Sequence, residues 1–233
     1  MIKVGLALSL IGAALLLAGP LGSRVGLWSF VIGFLMLAVS LLLALVGASL
    51  ALVGGIKTGQ WTMAGAGIVV GLAVVGVPSA FILSAVGKPP IHDITTDTVN
   101  PPSFVAIVPL RAGAANPPEY GGGDVADKQR LAYPDIAPLV IHLSAPQAFD
   151  RVNSAIRDLG WELVASDRAS GRIEATDTTF WFGFKDDVVV RITGEPSGQD
   201  SRIDVRSKSR VGVGDAGTNA RRVRELLSRL RTT

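Results

Sequence analysis

Residues 25–56 read VGLWSFVIGFLMLAVSLLLALVGASLALVGGI, thirty-two consecutive positions without a charge. A hydrocarbon core of about 30 Å needs roughly 20 helical residues, so this run is long enough to cross a bilayer. Uncharged runs lie on either side of it, 4–23 between Lys3 and Arg24 and 58–87 between Lys57 and Lys88. Their composition is continuous Leu, Ala, Val and Gly without the alternation a barrel strand requires, and inside lipid only helices or closed barrels satisfy their own backbone. The sequence therefore predicts three transmembrane helices near 4–21, 27–54 and 63–86. A cleaved signal peptide is the alternative for the first run. No small-x-small site follows it and two further spans come after, which favours a retained helix.

Outward from the spans, the charge is unevenly divided. Residues 1–92 hold four basic residues (Lys3, Arg24, Lys57, Lys88) and no acid, while 93–233 hold the other 18 basic residues and all 19 acids. The net charge of +3 thus belongs to the apolar half. A nucleic-acid footprint needs unbalanced Lys and Arg clustered on the folded domain, so nucleic acid is not expected as a partner. The chain has no cysteine, which rules out disulfides, thiolate metal sites and thiol catalysis.

No ionisable residue falls inside a span, whereas transport pathways usually place one at membrane depth. Residues 1–88 read as an anchor in contact with the lipid bilayer. Small residues recur at four-residue intervals, Gly47, Ala51 and Gly55 in the second helix and Gly67 and Gly71 in the third, the spacing that lets helix backbones approach. Trp28 and Trp61 stand at run ends as interfacial anchors do. Lys3, Lys57 and the α-amino group fall on one side, Arg24 and Lys88 on the other. The one-charge excess predicts a cytoplasmic N-terminus, hence a bacterial inner-membrane protein with a periplasmic C-terminal domain.

The polar half divides in two. Nine of the thirteen prolines lie between Lys88 and Pro138. Proline lacks the donor that helices and sheet ladders use, so residues 89–137 are expected to wrap the domain as irregular chain, with Phe104–Leu110 the one stretch able to pair as an edge strand. Residues 138–233 read as an α+β core. A short strand at Leu139–Leu143 precedes a capping-box helix begun by Ser144 and Gln147, with Phe149, Val152, Ile156 and Leu159 on its inner face. An antiparallel meander follows over 161–208, with strands at Trp161–Ala165, Arg172–Ala175, Thr178–Phe184, Val188–Thr193 and Arg202–Lys208. Alternation places Val188, Val190, Ile192, Ile203 and Val205 on a buried face and Arg172, Glu174, Arg191, Arg202, Asp204 and Arg206 on the other, a charged face that is either solvated or partner-binding. Trp181, with Phe180, Phe182 and Phe184, reads as core and edge packing. The last helix, Asn219–Arg231, turns Val223, Leu226, Leu227 and Leu230 inward and leaves Arg221, Arg222, Arg224, Arg229 and Arg231 outside.

Gly212-Val213-Gly214-Asp215-Ala216-Gly217 matches G-x-G-x-x-G, but a dinucleotide fold also needs a parallel βαβ unit and an acid about 20 residues later. The preceding strands are antiparallel, and only 16 residues follow Gly217. What remains is a glycine-rich turn at a helix N-terminus, where free N–H groups favour an anion. Arg206, Arg210 and Arg222, with Gly212, Gly214, Asp215, Gly217 and Asn219, form the candidate anion site for a phosphorylated metabolite or phospholipid headgroup. Asp215 could equally cap the helix itself. A hydrolase built from His92, Asp97 and Asp215 is a weaker alternative. The two histidines, His92 and His142, cannot build a His-rich metal centre, and neither a cofactor nor a metal is expected.

Two segments carry a resemblance. PPIHDITTD (89–97) followed by NPPSF (100–104), and RIDVRSKSRVG (202–212) leading through GDAGTNA (214–220) into the Arg-rich helix, resemble the domain of unknown function 1499 family over about 89–231, with a three-helix leader like that of proteobacterial members. The resemblance implies no activity, cofactor or catalytic residue. It does imply that His92, Asp93, Thr95, Thr96, Asp97, Pro101 and Pro102 matter together with Arg206–Asn219. The expected function is that of an integral membrane protein whose extramembrane domain is a binding or accessory module, with protein partners in a larger membrane complex.

Overall fold

The computed structural model describes residues 1–231 and divides into two compact units, Met1–Val86 with Phe180–Gly183, and Gly87–Thr179 with the residues from Phe184 on. In the first unit α1 (Ile2–Arg24), α2 (Phe30–Thr58) and α3 (Trp61–Ala85) are each long and apolar enough to cross a membrane. They pack up, down and up. A Cβ on Gly5 would stand 2.6 Å from main-chain atoms of Gly47 and Ala51, one on Gly12 would stand 2.9 Å from the Ser40 carbonyl, and one on Gly19 would stand 2.8 Å from that of Gly33. Small residues on both helices thus bring the α1 and α2 backbones together along most of their length, the source of van der Waals attraction in lipid. Gly67 and Gly71 of α3 meet Leu6, Ala44, Ala48 and Ala51, and Gly55 meets Trp61 and Ala64. Pro78 lies inside α3, which continues past it. The large side chains, Leu35, Leu42, Val69 and Phe81 among them, point outward.

The second unit is α+β, and its sheet runs β1-β6-β5-β4-β3. Its strands are β1 (Asp93–Thr95), β2 (Leu139–Ile141), β3 (Glu162–Asp167), β4 (Arg172–Thr178), β5 (Lys185–Gly194) and β6 (Ser201–Ser209). All pairings are antiparallel, and β1 and β2 share one edge of β6, Thr95 opposite Arg206 and Leu139 opposite Ile203. On one face α5 (Ala145–Asp158) and α6 (Thr218–Arg231) bury Phe149, Val152, Ile156, Val223, Leu226 and Leu230 against Val188, Val190, Ile192, Ile203 and Val205. The capping box at Ser144 and Gln147 forms.

Four expectations need correction. Thr178–Phe184 is not a strand: β4 runs on to Thr178, and the chain turns through Phe180–Gly183 before β5 begins at Lys185. The aromatic run resembled a strand because its residues are good strand formers, but Gly183 sits at φ +69° and the Thr179 amide closes the turn on the Phe184 carbonyl. Phe180 and Trp181 are exposed rather than core. Phe104–Leu110 forms no edge strand; it is a loop leading into a 3₁₀ turn at Val108–Arg111. Finally, the Pro-rich segment holds regular structure at both ends, β1 and a helix α4 (Gly123–Ala132).

Candidate functional site

The sheet face opposite α5 and α6 carries the charged residues, and it is neither solvated nor open to a partner over most of its area. Glu174, Asp187, Asp204, Arg206 and Lys208 are buried, because the chain between β1 and α4 lies across them. Phe104 and Ile107 of this cover pack on Val189. Such burial is tolerable only when each charge has partners.

Each does. Arg206 donates from Nε and Nη2 to the two oxygens of Asp93, both at 2.9 Å, and further to the Pro102 and Pro118 carbonyls. Its guanidinium also lies over the rings of Phe104 and Tyr120, 4.9 and 5.4 Å from their centres. Lys208 Nζ is 3.1 Å from Asp93 and donates to the Glu119 carbonyl. Burial lowers the Lys208 pKa, with Asp93 opposing, and raises that of the Tyr120 hydroxyl to about 12. Asp187 receives Arg111 at 2.6 Å, Arg210 through Nε and Nη2, and the Thr176 hydroxyl. Glu174 accepts the amides of Val105, Ala106 and Ile107 at 2.9 to 3.1 Å. One carboxylate thereby supplies the acceptors that three successive N–H groups of the cover would otherwise lack.

The candidate anion residues are distributed among these networks. Arg206 is held by Asp93 and Arg210 by Asp187. Arg222, expected on the outer face of the last helix, is buried and bridges Asp177, Asp186 and Asn219. Its position falls between the apolar stripe and the exposed arc, where a long side chain reaches the sheet, and three acceptors make that inward path favourable. Burial raises the Asp186 pKa, with Arg222 opposing. The amides at the start of α6 already have an acceptor: Asp215 takes the Gly217 N–H at 2.8 Å and the Asn219 N–H at 2.6 Å. Gly212 and Gly217 adopt φ of +96° and +79°, and a Cβ on Gly214 would press on Pro90 at 3.2 Å, so the glycines shape this turn against the chain entering β1.

The two family-like segments lie side by side. The His92 carbonyl accepts the Ser209 amide and the Asn219 side-chain amide, its ring Nδ1 is 3.2 Å from the Val213 carbonyl, and Asp215 donates its amide to Ile91. Thr96 exchanges two hydrogen bonds with Val205. Pro101 is partly covered and Pro102 buried within the same layer. Asp97 belongs to a different cluster from His92 and Asp215, meeting Arg191 at 3.1 Å and Arg202 at 3.2 Å beside Asp204. This quartet, its two arginines partly exposed and Asp204 buried, lines a shallow depression with Asn100 and Thr193. Burial alone would raise the Asp97 pKa; the amides of Asn100 and Val99, followed by Arg202 and Arg191, more than offset it and hold the carboxyl below its usual value.

Gln129 of α4 escapes a motif search. Its side-chain carbonyl takes the Thr95 amide at 2.9 Å and its amide donates to the Thr95 carbonyl at 2.6 Å, as a neighbouring strand would. That satisfies the outward main-chain groups of β1 at Thr95. The signals for α4 were the pairs Asp124–Lys128 and Asp127–Arg130, charges spaced as on one helix face. Among the described residues β2 pairs only with β6. Its outer side faces a groove of about 330 Å³ bordered by Leu139–Leu143, Arg151, Leu230 and Arg231. Among the described residues no group of His, Asp and Glu side chains is arranged to hold a metal ion.

No curated protein matches the chain. The family model described as "Protein of unknown function (DUF1499)" matches residues 93–230, which takes in β1, the buried ion pairs, the cover and all but the last residue of α6. The paired segments at Asp93 and Arg206 thus lie within the matched region, and the chain belongs to the DUF1499 family.

Proposed function

We propose that this chain is a membrane-anchored accessory module, its three helices holding in the bilayer a domain that receives a protein partner along β2. The observation that carries the reading is the contrast between the two short strands on the outer side of β6, of which only β2 borders a groove. Gln129 caps the outer edge of β1 at Thr95, while β2 borders a groove with residues of α5 and α6. An unpaired edge presents a row of main-chain donors and acceptors, and an extended segment adding to it gains main-chain hydrogen bonds, with side-chain pockets giving selectivity. Val140 is 57% exposed on this strand. Arg231 borders the groove, as does Arg151, which donates to the Leu230 carbonyl at 2.8 Å, and this positive rim favours a segment carrying acidic side chains or a terminal carboxylate.

The small-residue helix faces support the anchoring half of the proposal. They are used in packing the three helices on one another, leaving a broad outward surface of Leu, Val and Phe suited to lipid. The same reading places the domain in the periplasm of a bacterial inner membrane, supported by Lys3 and Lys57 standing at the opposite helix ends from Arg24. A photo-crosslinking residue at Val140, in the full chain in its native membrane, should capture a discrete protein partner that the same residue at Val99 does not. A solitary chain in mild detergent, with no product specific to Val140, refutes the proposal.

A further inference from the structure

We infer that the turn Phe180-Trp181-Phe182-Gly183 is a second membrane anchor, its aromatic side chains seated at the headgroup and acyl boundary. This segment belongs to the same compact unit as the three helices. Phe182 stacks on Phe34 of α2, the ring centroids 4.6 Å apart and the planes 26° from parallel. Gly33 makes room for it, since a Cβ there would stand 2.9 Å from the Phe182 ring. Arg24, the last residue of α1, donates to the Phe180 carbonyl at 2.6 Å, and its guanidinium lies 5.7 Å from the Phe180 ring centre. A Cβ on Gly183 would press on Arg24 at 3.2 Å, so a side chain there would push the turn off the helix end.

These contacts fix the height of the turn against the helices. Arg24 closes the uncharged run of α1, and Phe34 lies in the second turn of α2. The boundary between hydrocarbon and headgroups therefore falls near both, given a rise of about 1.5 Å per helical residue. At that height Phe180 is 69% exposed and Trp181 47% exposed, packed edge to face with each other. The neighbouring exposed residues on the helix side are apolar as well, Val25, Leu27, Phe30 and Val31. Residues 178–184 carry no charge. Large exposed apolar side chains cost free energy in water, whereas Trp and Phe beside a cationic residue at the interface are stabilised by the half-polar environment there. The occupant of this surface is thus the lipid interface rather than a protein groove. The proposal does not depend on partner binding at β2.

The absence of cysteine gives a direct test with the full chain in lipid nanodiscs. A spin label at W181C is compared with labels at V99C, 92% exposed on the polar unit, and L42C, 64% exposed in mid α2. The expected result is oxygen collision exceeding that of a water-soluble nickel complex at position 181, as at position 42, with the reverse at position 99. Nickel access at 181 equal to that at 99, or protection from both reagents, overturns the inference. A second measurement spares the fold. The wild-type minus W181F difference emission should be quenched by lipids brominated near the carbonyls, and an unquenched difference spectrum overturns the inference too.

Discussion

Arg206 grips Asp93 through two parallel 2.9 Å hydrogen bonds across 113 positions of sequence, and both side chains are at most 3% exposed. A planar guanidinium matches a carboxylate in this way, and a point charge does not. The pair ties β1 to β6 beneath the cover, where the loss of either partner strands a charge away from water. We expect Asp93→Ala or Arg206→Ala to destabilise the domain by about 3–5 kcal/mol, and Arg206→Lys to recover only part of this. Thermal unfolding of the full chain in detergent measures it.

Glu174 holds the cover through the amides of Val105, Ala106 and Ile107. Glu174→Gln keeps the shape but removes the charge and one acceptor. It should cost about 1.5–3 kcal/mol, the range for hydrogen bonds to charged groups. Hydrogen exchange should quicken first at residues 105–107, ahead of the strands on either side.

In the helical unit, two glycines of similar surroundings by sequence should behave oppositely. Gly5→Ala drives a methyl into the main chain of Gly47 and Ala51 at 2.6 Å, while a Cβ on Gly65 meets nothing within 4 Å. The first should destabilise by about 1–3 kcal/mol, and the second should be neutral or gain up to about 1 kcal/mol of helix propensity. Melting temperatures in one detergent decide between them.

Asp97 gives the acid response a definite sign. Its folded pKa lies below the ordinary 3.8, so the unfolded chain binds a proton more readily. The stabilisation is complete above about pH 4 to 5 and is lost as pH falls through the folded value. Asp135, held down by Arg224, adds in the same direction. Unfolding followed from pH 6 to pH 3 should show falling stability, and Asp97→Asn should flatten that slope.

Asp215 decides whether the glycine-rich turn binds an external anion. As a cap on the Gly217 and Asn219 amides it should be worth about 0.5–2 kcal/mol, lost in Asp215→Ala. Inorganic phosphate should leave the melting temperature of the wild type unchanged. A saturable upward shift would show that ligands compete for the same amides.

Much of this fold is written in periodicity. Long neutral runs between Lys3, Arg24, Lys57 and Lys88 marked the helices, and two-residue alternation at Val188, Val190 and Ile192 marked the core face. What alternation cannot specify is the fate of the second face. A strand with Arg172 and Glu174 turned outward reads the same whether water or another segment covers it, and the cover here is proline-rich chain with no period of its own. The Phe180–Phe184 run misled for a related reason, since aromatic residues suit a strand and a lipid-facing turn alike. Arg222 shows a third limit. A helix stripe is read from apolar residues, and an arginine at its margin turns inward only because Asp177 and Asp186 arrive from strands far off in sequence.

The stitching of β6 by two separate partners bears on how the protein is made. Translation proceeds from β1 toward β6, so Asp93 leaves the ribosome more than a hundred residues before Arg206 exists to receive it. Contacts of such separation close slowly, and until they close the prolines of the cover have nothing to lie upon. The place of β1 is therefore set only once β6, the last strand of the chain, has been made.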